Sequence, residues 1–335
     1  MSALQRELDA IAAETLFSGV VRVDTADGLE LQQAYGLAHR GWAIANTIGT
    51  RFGIASGTKG LTALTVMSLV EDGRLELAAT ARSLLGDDLP LIDDRVTVEQ
   101  LLAHRSGIGD YFDEDLHPDP TEHVMPVPVH RLATTEDYVA VLDRHPTKFS
   151  PGERFSYSNA GYVVLALLAE RATETSFYDL VQTRVCEPAG MSDTAFLRSD
   201  DLPGRTALGY LDAEGSARTN VLHLPVRGSG DGGAYSTAAD VSTLWRAFTN
   251  GAIVSRDAVR EMVRPRSDVP ADSRRYGLGF WLHESPDGVI LVGSDAGVSF
   301  SSVHDPGAGL TSTVLSNTPE GAWPLERFLE ERLPA

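Results

Sequence analysis

Basic residues, cysteine and long apolar runs are all scarce in this sequence. Cys186 is the one cysteine among 335 residues, so no disulfide can form within the chain. Lysine and arginine total 28 against 47 aspartates and glutamates, which gives a net charge of −19. This charge argues against nucleic acid or an anionic membrane as a partner. We expect Cys186 to be a small buried apolar residue.

The apolar runs are too short to span a membrane, the best of them lying at 162–169. The first 25 residues lack the apolar segment of an export signal, because Arg6, Glu7, Asp9 and Glu14 interrupt them. With the lone cysteine, these absences predict a cytoplasmic protein. The apolar content of 42% suffices for one large core or two modest ones.

Lysine is unusually rare, since only Lys59 and Lys148 occur beside 26 arginines. Lys59 follows Ser56 by three residues. Arginine stays protonated at any workable pH, whereas a buried lysine amine can lose its proton and act as a base. Ser-x-x-Lys alone is a weak signal that also arises by chance. The retained lysine nevertheless suggests that Ser56 is a nucleophile activated by Lys59.

The segment 57–72 reads as a helix that is apolar on most sides and is closed by Gly73, which indicates a central, buried helix. Residues three apart share a helix face, so Lys59 should stand one turn above Ser56. The unpaired N–H groups and the positive dipole end at a helix start can hold a developing oxyanion. We therefore expect Ser56 to provide the nucleophile and one oxyanion donor.

The only Tyr-x-Asn of the chain, Tyr157-Ser158-Asn159, precedes an apolar helix predicted at 160–170. A tyrosine with a lowered pKa can shuttle a proton, and an asparagine amide can position a carbonyl or a lysine. Taken in isolation, the tripeptide is better explained as a turn tyrosine followed by an asparagine helix cap.

Six segments together resemble the serine β-lactamase and penicillin-binding-protein superfamily, in the branch of class C β-lactamases, D-aminopeptidases and family VIII esterases. They are RFGIASGTK (51–59), LLAHRSGI (101–108), FSPGERFSYSN (149–159), EPAGMSDT (187–194), YGLGF (276–280) and VLSN (314–317). The resemblance implies that Ser56 is the acylated nucleophile and Lys59 the amine that activates it. It implies that Tyr157 exchanges protons with the nucleophile and the leaving group, and that Asn159 is its polar companion.

The family's third motif, Lys-Thr-Gly or His-x-Gly on a strand facing the nucleophile, should fall at Ser294-Asp295-Ala296-Gly297, in a register uncertain by one residue. Here Ser294 replaces the cation and an acid follows it. In relatives that cleave penicillins or D-Ala-D-Ala this strand receives a carboxylate, which Asp295 would oppose by roughly 1–4 kcal/mol. We expect Ser294, Asp295 and Ala296 to line the substrate pocket and Gly297 N–H to be the second oxyanion donor. Carboxylate-bearing substrates are therefore disfavoured.

The predicted elements fit a β-lactamase-like α/β (α+β) fold in a single catalytic domain, 1–335. A helix at 4–15 and strands at 19–23 and 29–35 open the chain, and strands at 289–292, 300–304 and 310–315 precede a final helix at 322–332. We expect one antiparallel sheet flanked by the terminal helices, from approximately 1–55 and 205–335. A helix-rich region at approximately 56–204 is inserted, with a helix capped by Thr97 and another at 136–143.

Two motifs suggest bound groups and are set aside. The segment 228–233 fits Gly-x-Gly-x-x-Gly without the strand-helix-strand context of a dinucleotide site, so a glycine-rich loop beside the active site is favoured. His117, His123 and His130 lie in an acidic, proline-rich loop at 110–131 without metal-ligand spacing, and are expected to be solvated. We expect neither a metal nor a cofactor.

Three further side chains have structural and functional interpretations. Tyr111 matches an aromatic residue that reaches the pocket wall in relatives, although packing within its loop is equally open. Trp281 is expected in the sheet core, and His104 is expected to hold the turn after a helix.

The sequence therefore predicts a serine hydrolase that acts through an acyl-enzyme on Ser56, as an esterase or amidase on small acyl compounds. A D-amino-acid amidase or aminopeptidase is the alternative, since Asp295 could hold an ammonium group, and a weak β-lactamase activity is open. A catalytically silent binding protein of the same fold is the alternative from another class. The partner expected is a small ester or amide, and the oligomeric state is not predicted.

Overall fold

The computed structural model describes residues 2–114, 116, 119–212, 216–283 and 288–333, so His117 lies outside the described residues. The helices are α1 (Ala3–Glu14), α2 (Thr58–Glu71), α3 (Arg82–Leu85), α4 (Val98–Leu102), α5 (Val139–Leu142), α6 (Asn159–Thr173), α7 (Phe177–Val181), α8 (Glu187–Ala189), α9 (Ala238–Asn250), α10 (Arg256–Met262) and α11 (Ala322–Arg332). The strands are β1 (Gly19–Thr25), β2 (Gly28–Tyr35), β3 (Leu37–His39), β4 (Ile44–Ala45), β5 (Phe52–Gly53), β6 (Tyr235–Ser236), β7 (Ser267–Val269), β8 (Arg274–Tyr276), β9 (Trp281–His283), β10 (Val289–Asp295), β11 (Val298–Asp305) and β12 (Leu310–Ser316).

The two ends of the chain build one antiparallel sheet, which confirms the predicted fold class. Its strand order in the described part of the chain is β2-β1-β12-β11-β10-β9-β8-β7. β1 pairs with β12 from Gly19↔Ser316 onward. The terminal helices cover one face of the sheet, where Leu8 of α1 and Leu325 of α11 are both fully buried in one apolar cluster.

α2 is the buried central helix that its apolar sequence predicts. Every residue from 58 to 69 is buried. Its threonines are tolerated there because their hydroxyls have main-chain partners: Thr62 Oγ1 donates to the carbonyl of Gly230 and Thr65 Oγ1 to that of Leu61. α6 packs against it and is buried from 159 to 169.

The helix-rich segments follow the predictions with one difference. Thr97 and Gln100 form the expected capping box of α4. The helix expected at 136–143 is instead a 3₁₀ turn, Glu136–Tyr138, followed by the short α5. In the described residues, no helix is long and apolar enough to cross a membrane.

One edge of β10 is open at the centre of the molecule. β9 pairs with β10 only at Val289 and Ile290, whereas β11 accompanies β10 as far as Asp295. This pairing extends β10 beyond the strand end predicted at 292. The rest of the open edge lies against the 3₁₀ turn that precedes α2: a Cβ added to Gly293 would lie 2.4 Å from the carbonyl oxygen of Ile54 and 2.7 Å from the nitrogen of Ser56.

Gly293→Ala should therefore lower the free energy of unfolding by about 1–3 kcal/mol, because backbone rather than a flexible side chain occupies the space that the methyl group needs. Urea denaturation measures this change. Gly204→Ala is the matched control, since nothing lies within 4 Å of its added Cβ, and it should stay within about 0.5 kcal/mol of the parent. Equal stability of the two variants would show that β10 does not press on the turn.

Candidate active site

The candidate nucleophile lies on a strained turn between β5 and α2. Ser56 is the middle residue of the 3₁₀ turn Ala55–Gly57, and Ala55 has a left-handed backbone with φ +42°, which residues with a side chain rarely adopt. Phe300 supports the turn from below, since a Cβ added to Gly57 would lie 2.4 Å from its ring. Because α2 begins directly after the turn, Ser56 lies at the positive end of its dipole.

Lys59 reaches Ser56 from the buried side. Its side chain is 2% exposed. Its Nζ lies 2.9 Å from Ser56 Oγ, 2.8 Å from Asn159 Oδ1 and 2.8 Å from the main-chain oxygen of Asp231. Burial lowers the pKa of Lys59, and the nearest carboxylates, Asp231 first among them, oppose this shift.

Two of these partners can only accept hydrogen bonds. The Asn159 amide oxygen and the Asp231 carbonyl therefore take two N–H bonds of Lys59 in either of its protonation states. When the amine is neutral, its lone pair is left for the hydroxyl proton of Ser56.

Tyr157 lies beside both Ser56 and Lys59. Its ring centroid lies 4.8 Å from Lys59 Nζ, and the Ser56 side chain acts on its hydroxyl in the direction that lowers its pKa. Burial, followed by the charge of Glu114, raises the pKa of Tyr157 well above 10. The lowered pKa considered from the sequence is wrong, because burial and then the negative charge around the ring raise the pKa. Tyr157 is a neutral phenol that can relay a proton.

Asn159 is oriented by two carboxylates that the motif does not contain. Its Nδ2 donates to the carbonyl of Phe112 and to Glu114 Oε1, both at 3.0 Å, which turns Oδ1 towards Lys59. The Asp110 carboxylate accepts from the main-chain N–H groups of Asn159 and Ala160 at the start of α6. The helix cap is Ser158, whose hydroxyl accepts from Gly161 N, so Asn159 is not a cap.

His104 supports the same segment from behind. Its Nδ1 accepts a 3.0 Å hydrogen bond from Ser158 N, and its ring centroid lies 4.3 Å from that of Tyr157. Burial lowers the pKa of His104 well below 6.5, and the charge of Lys59 acts in the same direction. The residue therefore holds the Tyr157 segment as well as the turn after α4.

The glycine-rich segment 228–233 passes directly beside the nucleophile. Besides the Asp231 carbonyl that meets Lys59, the Asp231 carboxylate accepts a hydrogen bond from the Tyr111 hydroxyl. Burial raises the pKa of both groups. Of the two interpretations of Tyr111, pocket wall or packing within its loop, the structure supports the pocket wall. Asp231 is a further residue of the site, which the sequence motifs did not identify.

The third-motif residues divide between the cleft and the turn that follows. Ser294 and Asp295 line the cleft at Ser56. Ala296 is fully buried and its carbonyl accepts from Asn220 Nδ2, while Gly297 packs against Gly209. The role of Gly297 as an oxyanion donor therefore stays a prediction, and the expected place of Ala296 in the pocket lining is not what the structure shows.

Asp295 lies on the acidic side of the cleft. Burial raises its pKa to about 7, and the charges of Asp231 and Glu114 add to the shift. The hydrogen bond from Ala296 N and the charge of Lys59 act against it. Asp295 therefore changes charge near neutral pH.

Ser56 opens into two clefts of different character. The aromatic arm has a volume of about 580 Å³, and its lining includes Phe155, Tyr157, Val269, Trp281 and Trp323. The acidic arm is smaller, about 50 Å³, and its lining includes Tyr111, Glu114, Asn159, Asp231 and Asp295. Among the described residues that line them, neither arm has a lysine or arginine.

The aromatic arm corrects the position expected for Trp281. This residue is only half-buried and stacks on Tyr157, with ring centroids 6.0 Å apart and planes 15° apart. It projects into the cleft because β9 runs beside β10 for only two residue pairs.

Of the two described histidines that were expected to be solvated, only one is exposed. His123 packs on Phe112, with ring centroids 4.5 Å apart, and lines the acidic arm, whereas His130 is exposed. The described residues contain no group of three or more His, Cys, Asp or Glu side chains that could hold a metal ion.

Known proteins with related chains include three informative examples. A penicillin-binding protein from Bacillus halodurans has a crystal structure that matches with a TM-score of 0.91 and 33% identity, covering 97% of this chain and 99% of that one. The esterase EstB of Burkholderia gladioli is 27% identical over 83% of this chain and 79% of its own length. The D-aminopeptidase of Brucella anthropi is 28% identical over 80% of this chain and 49% of its own length.

The matches cover most of this chain but only part of some relatives. The chain spans 62% and 66% of the length of the first two curated relatives that it matches. The family profile described as beta-lactamase covers residues 4–330. The chain therefore belongs to the beta-lactamase family.

Proposed function

We propose that this protein is a serine hydrolase that forms an acyl-enzyme on Ser56, acting as an esterase or amidase on small acyl compounds. The observation that carries the proposal is the contact of Lys59 Nζ with Ser56 Oγ, made by an enclosed amine whose other two partners only accept. Burial lowers the pKa of this amine, which favours a base over a structural cation.

The geometry supports a two-step reaction. Lys59 takes the hydroxyl proton as Ser56 Oγ bonds to the substrate carbonyl carbon, and the N–H groups at the start of α2 stabilise the oxyanion. When the carbonyl reforms, the bond to the leaving group breaks and that group takes a proton relayed from Lys59 through Tyr157. Water then attacks the ester on Ser56 and delivers one proton back to Ser56 Oγ, which releases the acid.

The charges around the cleft favour neutral or cationic acyl groups. Asp231, Asp295 and Glu114 surround the acidic arm, and one carboxylate several ångströms away opposes a substrate anion by roughly 1–4 kcal/mol. Penicillins and D-Ala-terminated peptides are therefore poor substrates. The same acids favour a second candidate, a D-amino-acid amidase or aminopeptidase whose substrate carries an ammonium group.

We also propose a cytoplasmic location and a small ester or amide as the partner. Cys186 is buried and unpaired, which fits a reducing compartment.

Intact-protein mass spectrometry after fluorophosphonate treatment tests the nucleophile. We expect one adduct, on Ser56, because its hydroxyl alone is activated by Lys59. Short-chain p-nitrophenyl esters should turn over faster than nitrocefin. Labelling spread over several serines, or none, would support the silent binding protein instead, and a nitrocefin rate equal to the best ester rate would overturn the substrate ranking.

Lys59→Arg tests the base. The guanidinium keeps the charge but cannot supply a neutral amine, so turnover should fall by at least the ~10²–10⁴ attributed to general-base catalysis. Lys148→Arg is the matched control, because Lys148 pairs with Asp113 at 2.6 Å and arginine keeps the charge that acts on Asp113 and Asp110; it should keep most of the activity. More than about a tenth of the activity left in Lys59→Arg would show that Lys59 is not the base.

Asp295→Thr tests the charge selection. The pKa of Asp295 is about 7, so its carboxyl is mostly neutral at about pH 5.5 and mostly charged at about pH 8.5. At the higher pH the variant should raise kcat/KM for a penicillin about tenfold, leave neutral esters unchanged and depress any cationic D-amino-acid amide. At the lower pH these differences should shrink towards none.

A uniform change for all three substrate charges, at both pH values, would mean that Asp295 does not select substrates. A neutral ester measured in the same variant is the internal control for the integrity of the site.

A further inference from the structure

We propose that the aromatic arm is the leaving-group site and accepts a neutral aromatic alcohol or amine, while the acidic arm holds a small acyl group. This assignment rests on the proposed acyl-enzyme chemistry and adds the identity of the substrate's two halves.

The position of the proton donor indicates which arm holds the leaving group and which holds the acyl group. The departing oxygen or nitrogen must receive a proton, and the hydroxyl of Tyr157, whose ring centroid lies 4.8 Å from Lys59 Nζ, lines the aromatic arm together with Ser56. Asn159 and Asp231, which line the acidic arm, present Lys59 with acceptor oxygens only. The leaving group therefore departs on the side of Tyr157.

The sizes of the arms agree with this direction. The acidic arm, at about 50 Å³, has room for a small acyl group, whereas the aromatic arm, at about 580 Å³, holds a bulky one. A substrate with a large acyl group and a small alcohol would place its large group in the small arm and its small group in the large arm.

The surface of the aromatic arm selects the chemistry of the leaving group. Trp281 stacks on Tyr157 and Phe155 meets Trp281 edge-on, with centroids 5.8 Å apart and planes at 62°. Trp281 and Trp323 are half-buried, so a flat ring laid against them would cover further apolar surface and add ring-to-ring contact. The lining contributes Glu114 and Asp272 as charges but no described lysine or arginine, which disfavours an anionic ring.

The test compares two acetate esters that share an acyl group, 2-naphthyl acetate and trifluoroethyl acetate. Trp323→Leu should lower kcat/KM about tenfold for the naphthyl ester and less than about twofold for the trifluoroethyl ester. Trp281→Leu should act in the same direction, and thermal unfolding shows whether its contact with Tyr157 is needed for stability. Trp42→Leu is the control, because Trp42 is 78% exposed and lines neither arm, and it should change neither ester.

A second measurement does not need the Trp281 variant and can be used if that variant folds poorly. In the unaltered protein, 2-naphthol should inhibit trifluoroethyl acetate hydrolysis competitively, and Trp323→Leu should weaken that inhibition about tenfold. Equal losses for both esters in Trp323→Leu, or no competition by naphthol, would overturn the assignment. Phosphonate labelling of Ser56 separates the outcomes: labelling retained without leaving-group selectivity sinks only this inference, while absent labelling sinks the proposed function.

Discussion

The enclosure of one amine is the constraint on which this structure depends. An ammonium ion taken out of water without partners costs several kcal/mol, so an enclosed lysine must either find oxygens or lose its proton. Both effects act on Lys59: three oxygens surround Nζ, and burial lowers its pKa. The oxygens come from three distant parts of the chain, the turn before α2, the first residue of α6 and the loop 228–233. The sheet and the inserted helices must therefore meet at this point.

The carboxylates around the site oppose the effect of burial on the pKa of Lys59. Asp231, Glu114, Asp110 and Asp295 all raise the pKa of Lys59, yet desolvation is the larger effect. After burial, three of these charges, Glu114, Asp231 and Asp110, also raise the pKa of Tyr157 and leave it a neutral phenol. One set of carboxylates thus orients Asn159, moderates the base and repels anionic substrates, which links the catalytic geometry to specificity.

Local patterns allowed much of the fold and the centre of the site to be predicted. Ser56 and Lys59 lie within one turn of each other, the capping box of α4 lies within four residues, and α11 has the predicted bounds. The sheet of terminal strands and terminal helices was also predicted, through the family resemblance. The turn, the capping box and α11 depend on periodicity, caps and motifs that a single stretch of sequence contains, whereas the pairing of the terminal strands came only from the resemblance.

The remaining features depend on contacts between distant segments. Glu114 and Asp110 lie 45 and 49 residues before Asn159, and nothing near Tyr157 indicates them. The end of β10 is set by its pairing with β11. Trp281 borders the cleft because β9 begins at this residue and leaves the rest of β10 without a partner on that side. The pKa of Tyr157 could not be predicted because it depends on burial and on Glu114, neither of which a motif encodes.

The most direct measurement is the titration of Lys59 itself by NMR, on protein with ¹³C-labelled lysine. The chain has only two lysines, so Lys148→Arg assigns the two ε-carbon signals without further labelling. The account predicts that the Lys59 signal titrates with a midpoint below the ordinary lysine value of 10.5, and that Lys59→Arg removes it. If the Lys59 signal instead shows no titration up to pH 10.5, its amine stays protonated over that range. That result would contradict the central claim, because the amine could not then accept the proton of Ser56.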